Sequence, residues 1–340
     1  MRCMFASDNT SGIHPRILEA MASANEGAAL PYGDDPWTAE AEACFRSLFG
    51  DDIEVFLVPL GTGANTLSFN SMVRSWNAVI CSDMAHTLTT ESGAIEAIVG
   101  CKMLPVPSVH GKIDPAAVES CLDVLGDPHH NQPRLVALTQ ATEVGTLYTP
   151  DEIRALCDTA HRNGLLVHVD GARIANAVAA QGGDVRALTR DLGVDVMSFG
   201  GTKNGMMMGE AVLFFNRNLA DGFGTLRKQC LQLHSKMRFL AAQYVAYFRD
   251  GLWLENARHA NAMARLMAEL VADMPHVSLA HPVETNGVFA NMRPEDIGRL
   301  QEQYAFYEVD PVAHTVRWMF SFNTQKEDVY ALAEALGRLA

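Results

Sequence analysis

Two apolar runs that end in polar motifs decide the fold that we expect. Residues 194–205 read VDVMSFGGTKNG, so a short apolar run leads directly into two glycines, a threonine and Lys203. Upstream, residues 165–173 read LLVHVDGAR, and the second run ends at Asp170. Short runs of this kind are typical of strands that are buried in a parallel sheet. Because ligands of such sheets bind beyond the carboxyl ends of the strands, both motifs lie where we expect a binding site.

The same pattern continues along most of the chain. Apolar runs predict seven strands, at residues 54–60, 77–82, 102–108, 134–140, 165–170, 194–200 and 210–215. Helical patterns occupy residues 14–24, 38–50, 66–76 and 149–164. The last of these opens with Thr149 in an N-cap position, followed by a proline and acidic residues. Strands that alternate with helices indicate βαβ units and a mostly parallel sheet.

The pattern changes after about residue 225. Long helices are predicted at 226–248 and 255–273, followed by β-rich segments at 277–282, 286–292 and 314–322 and a final helix at 326–340. We therefore predict an α/β fold with two domains. Residues 1–250 would form a large domain with a mostly parallel seven-stranded sheet flanked by helices, and residues 251–340 a small α+β domain.

Composition narrows the class of partner and the compartment. The chain has 340 residues and a net charge of −14, and its lysines and arginines form no cluster, which argues against nucleic acid or an anionic membrane as partner. No run of apolar residues approaches the length of a membrane-spanning helix, and we expect no targeting signal at the N-terminus. Seven isolated cysteines suit reduced thiols, so we expect a cytoplasmic protein. We see no metal-ligand spacing and expect His129 and His130 to be solvated.

Three motifs together match the needs of one cofactor. A lysine in a cleft can lose its proton and form a Schiff base with an aldehyde. A carboxylate such as Asp170 can keep a pyridine nitrogen protonated, and the glycines of PLGTGAN (59–65) can bring backbone N–H groups to a phosphate. Each motif alone is more often structural, as a surface lysine, a helix cap or a plain strand–helix turn. In combination they point to pyridoxal phosphate.

The chain resembles the pyridoxal phosphate-dependent low-specificity L-threonine aldolases over nearly its whole length. These enzymes have the aspartate-aminotransferase-like fold, known as fold type I, and include phenylserine aldolases. The resemblance is carried by SDN (7–9), PYGDDP (31–36), GTGAN (61–65), AHTLTTESGA (85–94), HVDGAR (168–173), the Lys203 segment, RK (227–228), KMR (236–238) and VRW (316–318).

The resemblance implies a set of cofactor contacts. Lys203 would carry the cofactor as a covalent Schiff base, and Asp170 would pair with the pyridinium nitrogen. The phosphate would be held by Gly61, Thr62 and Gly63. His86 would stack on the ring and is our candidate base for the substrate hydroxyl, directly or through a water; a core histidine is the alternative.

The resemblance also implies a substrate site and an oligomer. Arg173, placed beside the cofactor, would bind the α-carboxylate of the substrate together with Arg317 and Ser7. Three further residues resemble positions that reach the active site of a neighbouring subunit: Tyr32 toward the substrate, and Lys228 and Arg238 toward the cofactor. We therefore expect a homo-oligomer, with a dimer of dimers as the expected form.

The implied reaction is retro-aldol cleavage of the Cα–Cβ bond. L-Threonine, L-allo-threonine and related β-hydroxy-α-amino acids would yield glycine and an aldehyde. The alternatives are an aldolase that prefers phenylserine, another lyase, racemase or aminotransferase on the same scaffold, and a regulatory protein that binds the cofactor.

The chain departs from the family pattern after the strand at 134–140. Many members carry ENTHN there, with a histidine near the substrate hydroxyl, whereas this chain reads TQATEVGT (139–146). Thr142 or Glu143 would stand near that place, or either is a turn residue. The Ser-Lys-Gly of many members is Thr202-Lys203-Asn204, and their GGGMRQ is HSKMRF (234–239).

Overall fold

The computed structural model describes residues 3–339. The strands are β1 (Cys3–Met4), β2 (Glu54–Val58), β3 (Asn77–Ser82), β4 (Lys102–Val106), β5 (Gln132–Thr139), β6 (Leu166–Gly171), β7 (Val196–Gly200), β8 (Glu210–Phe214), β9 (Val277–Leu279), β10 (Gly287–Met292), β11 (Tyr304–Ala305), β12 (Tyr307–Asp310) and β13 (Thr315–Met319). The helices are α1 (Pro15–Ser23), α2 (Pro36–Phe49), α3 (Gly61–Met72), α4 (His86–Thr89), α5 (Ala94–Ile98), α6 (Pro115–Glu119), α7 (Pro150–Arg162), α8 (Ile174–Gln181), α9 (Phe223–Gln229), α10 (Met237–Phe248), α11 (Leu252–Val271), α12 (Pro294–Gln301) and α13 (Lys326–Gly337).

A seven-stranded sheet forms the centre of the molecule. Its strand order is β2-β8-β7-β6-β5-β3-β4. Strand β8 runs antiparallel to both of its neighbours, and the other pairs are parallel. The seven strands are those predicted from the apolar runs, and the mostly parallel sheet is confirmed.

Helices cover both faces of this sheet. Alternate side chains of each strand point to opposite faces. Val136 and Leu138 pack into a core shared with α2, α7, α8 and α10, whereas Leu135 and Ala137 pack against α3, α5 and α9. Burial on both faces explains why the strands read as continuous apolar runs rather than as alternating ones.

A smaller antiparallel sheet with the order β12-β13-β10-β9 lies in the C-terminal part. Its core includes side chains from α11, α12 and α13, and also Phe5 from the N-terminal segment. Strand β1 pairs with β11, so the start of the chain is tied to the C-terminal part. The division of the chain at residue 250 stays a prediction, and α11 contacts both α8 and α13.

Several details differ from the sequence-based expectations, and helices α4, α5, α6, α8 and α12 have no predicted counterpart. The helix expected over 226–248 is two helices, α9 and α10, because Leu231 between them has a φ of +65°, which an α-helix cannot contain. Helix α3 begins at Gly61 rather than at residue 66, so GTGAN forms its first turns. Strands β1, β11 and β12 were not predicted because they have only two to four residues.

The helices of residues 3–339 include none that is long and apolar enough to span a membrane.

Candidate active site

Asp170 lies at the carboxyl end of β6, in the middle of the sheet. Its register neighbours are Thr139 at the end of β5 and Ser198 in β7. The carboxylate is buried and both oxygens are bonded: Oδ2 accepts from Asn65 Nδ2 at 2.8 Å, and Oδ1 accepts from the backbone N–H of Ala172 at 2.9 Å. These contacts fix the position of a negative charge at the carboxyl end of the central strands.

Lys203 follows the next strand, in a short 3₁₀ turn over Thr202–Asn204. Its Nζ makes no hydrogen bond or ion pair with any other residue that the structure describes. The positive charge of Arg173 and burial lower the pKa of the Lys203 amine, while Asp8, Asp170 and Glu210 oppose the shift. A lowered pKa favours the neutral amine, which is the nucleophilic form.

The backbone just before Lys203 lies directly against the backbone just after Asp170. A Cβ on Gly200 would lie 2.6 Å from the carbonyl oxygen of Ala172, which no side chain could tolerate without a backbone shift. Gly200 is therefore required so that the ends of β6 and β7 can lie side by side.

The N-terminus of α3 faces Asp170 and Lys203. Gly61 and Thr62 line a cavity of about 60 Å³ together with Asp170 and Lys203. No side chain caps this helix end, so its first N–H groups are free to meet an anion. Gly63 packs against the side chain of Gln232, where an added Cβ would lie 2.4 Å from Gln232 Cδ.

His86 begins α4 and is held at two points. Its Nδ1 lies 2.9 Å from Glu91 Oε1, and its backbone N–H donates to Glu143 Oε1 at 2.9 Å. Asn65 Nδ2 also donates to Glu91 Oε1, at 3.0 Å, and so links the His86 and Asp170 groups. The ring of His86 stays 44% exposed, on the cavity side of this network.

Arg173 pairs with a residue that the sequence analysis did not single out. Its Nε and Nη2 donate to the two carboxylate oxygens of Asp8 at 2.7 and 3.0 Å. Burial alone would raise the pKa of Asp8, but Arg173 holds it below its ordinary value. Ser7 contacts Asp8 through its hydroxyl, at 3.4 Å.

Arg317 approaches from the small sheet. Its Nη2 donates to the backbone oxygen of Ala6 at 2.9 Å, and its buried Nε has no partner among the described residues. Burial and the nearby Arg173 lower the pKa of its guanidinium. Two guanidinium groups at one site attract a carboxylate.

A second, wider cavity of about 370 Å³ collects most of the predicted residues. It is lined by Ser7, Asn9, Met84, His86, Thr89, Thr90, Glu143, Val144, Arg173, Lys203, His281, Phe289, Val309, Asp310, Thr315 and Arg317. It shares His86, Glu143, Arg173 and Lys203 with the smaller cavity. The predicted catalytic, phosphate and carboxylate residues are thus brought together by one cleft, apart from Gly63.

The residues expected to reach a neighbouring subunit lie elsewhere in this chain. Tyr32 and Lys228 contact each other, with Lys228 Nζ 4.7 Å from the ring centroid of Tyr32. Arg238 donates to the backbone oxygen of Gly27 at 3.1 Å and lies over the ring of Trp37. None of the three lines either cavity, and His129 and His130 are exposed in a loop.

Five acidic and amide residues of the site were missed or left open by sequence reasoning. Asp8, Asn65 and Glu91 lie inside strings that were quoted for the family resemblance. Glu143 lines the cleft, whereas Thr142 is bonded to Thr146 in the turn, which separates the two alternatives left open above. Glu210 opens β8 and accepts from Thr202 Oγ1 at 2.8 Å, and burial raises its pKa to about 8.

Comparisons with known proteins identify the relatives of this chain. The sequence model of the beta-eliminating lyase family matches residues 4–295. The low specificity L-threonine aldolase of Pseudomonas aeruginosa is 49% identical over 331 residues, which cover 97% of this chain and 95% of that protein. The solved structure of the Leishmania major threonine aldolase superposes with a TM-score of 0.94 at 31% identity, covering 100% of this chain and 99% of that one. Aspartate aminotransferase from Thermus thermophilus, at 15% identity and a TM-score of 0.75, shares the fold.

The matched family and the shared fold therefore define a lyase with the aspartate-aminotransferase-like architecture, fold type I. Within this class, the chain belongs to the beta-eliminating lyase family and to its low-specificity L-threonine aldolases. The resemblance stated from the motifs is confirmed.

Proposed function

We propose that this protein binds pyridoxal phosphate and cleaves L-threonine, L-allo-threonine and related β-hydroxy-α-amino acids to glycine and an aldehyde. The observation that carries the proposal is the single cleft that holds an amine of lowered pKa, a fixed carboxylate and two guanidinium groups. The 49% identity to a low specificity L-threonine aldolase over 97% of the chain supports the same reaction.

The donor set of the cleft fits the cofactor. Lys203 has an unbonded amine for the aldehyde, Asp170 offers a fixed negative charge for a protonated ring nitrogen, and the uncapped start of α3 offers N–H groups for a phosphate. When bound, pyridoxal phosphate supplies an electron sink for the pair released when a bond to Cα breaks. Lys203 would hold the cofactor covalently, and His86 would cover its ring.

The cleft also offers a place for each end of the substrate. Arg173, fixed by Asp8, and Arg317 would bind the α-carboxylate with the hydroxyl of Ser7. Fixing the carboxylate at the guanidinium groups leaves the β-substituent to the remaining residues that line the cleft.

A preference for a bulky β-substituent is a second candidate. The wider cavity has a volume of about 370 Å³, and part of its wall is apolar, from Met84, Val144, Phe289 and Val309. A phenyl group buries more apolar surface than the methyl group of threonine. Phenylserine is therefore a candidate substrate alongside threonine.

We also propose that the protein is a cytoplasmic homo-oligomer. Tyr32, Lys228 and Arg238 would complete the site of a neighbouring subunit, since they lie outside the cleft of their own chain. The six cysteines of residues 44–230 are free thiols, which suits a reducing compartment.

The test is a product assay with separate substrates. The purified protein, loaded with pyridoxal phosphate, is mixed with L-threonine, L-allo-threonine, L-phenylserine or D-threonine. We expect glycine and the matching aldehyde in equal amounts from the L-substrates, and the ranking of rates reports the preference at Cβ. A keto acid with ammonia, and no glycine, would contradict the proposal.

A further inference from the structure

Only one of the two carboxyl oxygens of Glu143 is hydrogen-bonded to the described part of the protein. Its Oε1 accepts two hydrogen bonds, from the backbone N–H of His86 at 2.9 Å and from Thr139 Oγ1 at 2.8 Å. Its Oε2 is buried and has no partner among the residues that the structure describes. The side chain lines both cavities of the cleft, next to Lys203 and His86.

A buried carboxyl oxygen without a partner is costly, so its presence calls for an explanation. Burial raises the pKa of Glu143, and the charge of Asp170 raises it further, against the bonds from His86 and Thr139. A group in this state gains most from a ligand that brings a hydrogen-bond donor to Oε2. It also holds a proton more readily than an exposed glutamate does.

The chemistry of the substrate decides which of its groups meets Glu143. The α-carboxylate is an acceptor with a negative charge, so it would be repelled by Glu143 and attracted by Arg173 and Arg317. The amino group would be engaged by the bound cofactor. The β-hydroxyl is then the donor that remains.

We propose that Oε2 of Glu143 accepts a hydrogen bond from the β-hydroxyl of the substrate and takes its proton when the Cα–Cβ bond breaks. This inference rests on the proposed function and identifies the proton acceptor within it. It assigns to Glu143 the role of base that the sequence analysis gave to His86.

The step balances without any added reagent. The hydroxyl proton moves to Oε2, the O–H electron pair forms the C=O bond of the aldehyde, and the Cα–Cβ pair stays with the glycine fragment. Water then supplies the proton that Cα takes up, and Glu143 releases its proton to water. No net proton is gained or lost.

The charged and titratable groups around Glu143 set the pH range of this step. They are Cys81 near the end of β3, His86 and Glu91 around α4, Tyr148 after β5, Asp170 and Arg173 around the end of β6, Lys203 after β7, His281 after β9, Asp310 at the end of β12 and Arg317 in β13. Because the base must be ionised, kcat/KM should rise with pH through the raised pKa of Glu143.

The test compares Glu143→Gln with the wild type and with a surface control, Glu334→Gln, whose side chain is exposed. Glutamine keeps the size and the Oε1 acceptor but cannot take a proton. We expect kcat/KM for L-threonine to fall about 100-fold or more. Affinity for glycine, read from the change in cofactor absorbance, should stay at the wild-type value because glycine has no β-hydroxyl.

The pH dependence of kcat/KM distinguishes Glu143 from His86 as the base. The rise of kcat/KM with pH should be lost in Glu143→Gln and kept in a His86→Asn variant. The inference would be overturned if Glu143→Gln kept the wild-type kcat/KM, or if it lost affinity for glycine as strongly as it lost kcat/KM. It would also be overturned if the rise of kcat/KM with pH were lost only in His86→Asn. Absence of aldehyde from the wild-type protein would instead overturn the proposed function, so the two failures are distinguishable.

Discussion

At the scale of single residues, charge governs the cleft. Arg173 and Arg317 bring two positive charges next to the Lys203 amine, and the negative charges of Asp8 and Asp170 oppose them. In the Arg173–Asp8 pair, the side chain of Asp8 is fully enclosed. This pair leaves Arg317 as the guanidinium with fewer fixed bonds, and so as the one freer to adjust to a substrate carboxylate.

Asp8→Asn should destabilise the fold in a pH-dependent way. Removing one partner of a buried pair costs about 3–5 kcal/mol, because the other charge is left uncompensated. The folded-state pKa of Asp8 lies below its ordinary value of 3.8, so the pair stabilises the fold above that pH, and the stabilisation is lost as the pH falls through the lowered pKa. Urea unfolding at several pH values measures this effect.

The difference in unfolding free energy between wild type and Asp8→Asn should be full at pH 7 and should shrink below pH 3.8. Asp158→Asn, at an exposed position of α7, is the matched control and should change little. A difference between wild type and Asp8→Asn that is the same at all pH values would show that the ion pair is not its cause.

The sequence could predict the reactive residues of the cleft but not their partners. Lys203 and Asp170 stand out because each ends an apolar run. Asp8 and Arg173 are 165 positions apart, so nothing local in the sequence indicates that they pair. The free oxygen of Glu143 is likewise a tertiary fact, since it follows from which neighbours fail to reach it.

At the scale of elements, the ends of β6 and β7 decide the geometry of the site. Gly200→Ala should separate these ends, because its Cβ would lie 2.6 Å from the Ala172 backbone oxygen. We expect lower thermal stability and a loss of aldolase activity that exceeds the loss of folded protein. Activity per folded molecule, with folding followed by circular dichroism, is the measurement.

Gly298→Ala is the matched control for this substitution. Gly298 lies within α12, and nothing lies within 4 Å of the position that a Cβ would take. Alanine there should stabilise the protein by about 0.5–1 kcal/mol through its better helix propensity. If Gly200→Ala behaved like Gly298→Ala, the close approach of the two strand ends would not be needed.

Local signals explain which elements could be predicted. Thr149 caps α7 as the sequence indicated, the structure adds a capping box with Glu152, and α7 begins at Pro150. Strands of five or more residues were found from their apolar runs. The break between α9 and α10 could not be predicted, because it depends on the positive φ of Leu231, a residue type that normally favours helix. The two-residue strands β1 and β11 are defined only by their pairing with each other, which no local sequence pattern indicates.

At the scale of the whole molecule, the cleft is closed by parts that are distant in sequence. The central sheet supplies Lys203, the N-terminal segment supplies Ser7, and the small sheet supplies Arg317. His110 in the loop after β4 and His281 in the loop after β9 contact each other, with their Nδ1 atoms 2.9 Å apart, and His281 lines the wider cavity. The site therefore forms only when both sheets and the N-terminal segment are in place.

The proposed oligomer predicts complementation between subunits. Lys228→Ala should lose activity although Lys228 lies outside the cleft of its own chain, and Lys203→Ala should be inactive. When the two variants are unfolded together and refolded as a mixture, hybrids contain one site with both lysines intact. We expect part of the wild-type activity to return, and light scattering should give a mass above that of one chain.

Full activity of Lys228→Ala alone, or a monomer that is active, would contradict a shared site. Refolding each variant separately is the control, since neither should recover activity without the other.

The central claim is that this cleft is the active site, with Lys203 as the residue that holds the cofactor. The most direct measurement is to reduce the protein loaded with pyridoxal phosphate with borohydride, digest it and locate the modified lysine by mass spectrometry. We predict that the reduced cofactor is found on the peptide that contains Lys203, and that L-threonine added before reduction prevents this labelling. Modification of a different lysine, or none at all, would contradict the account.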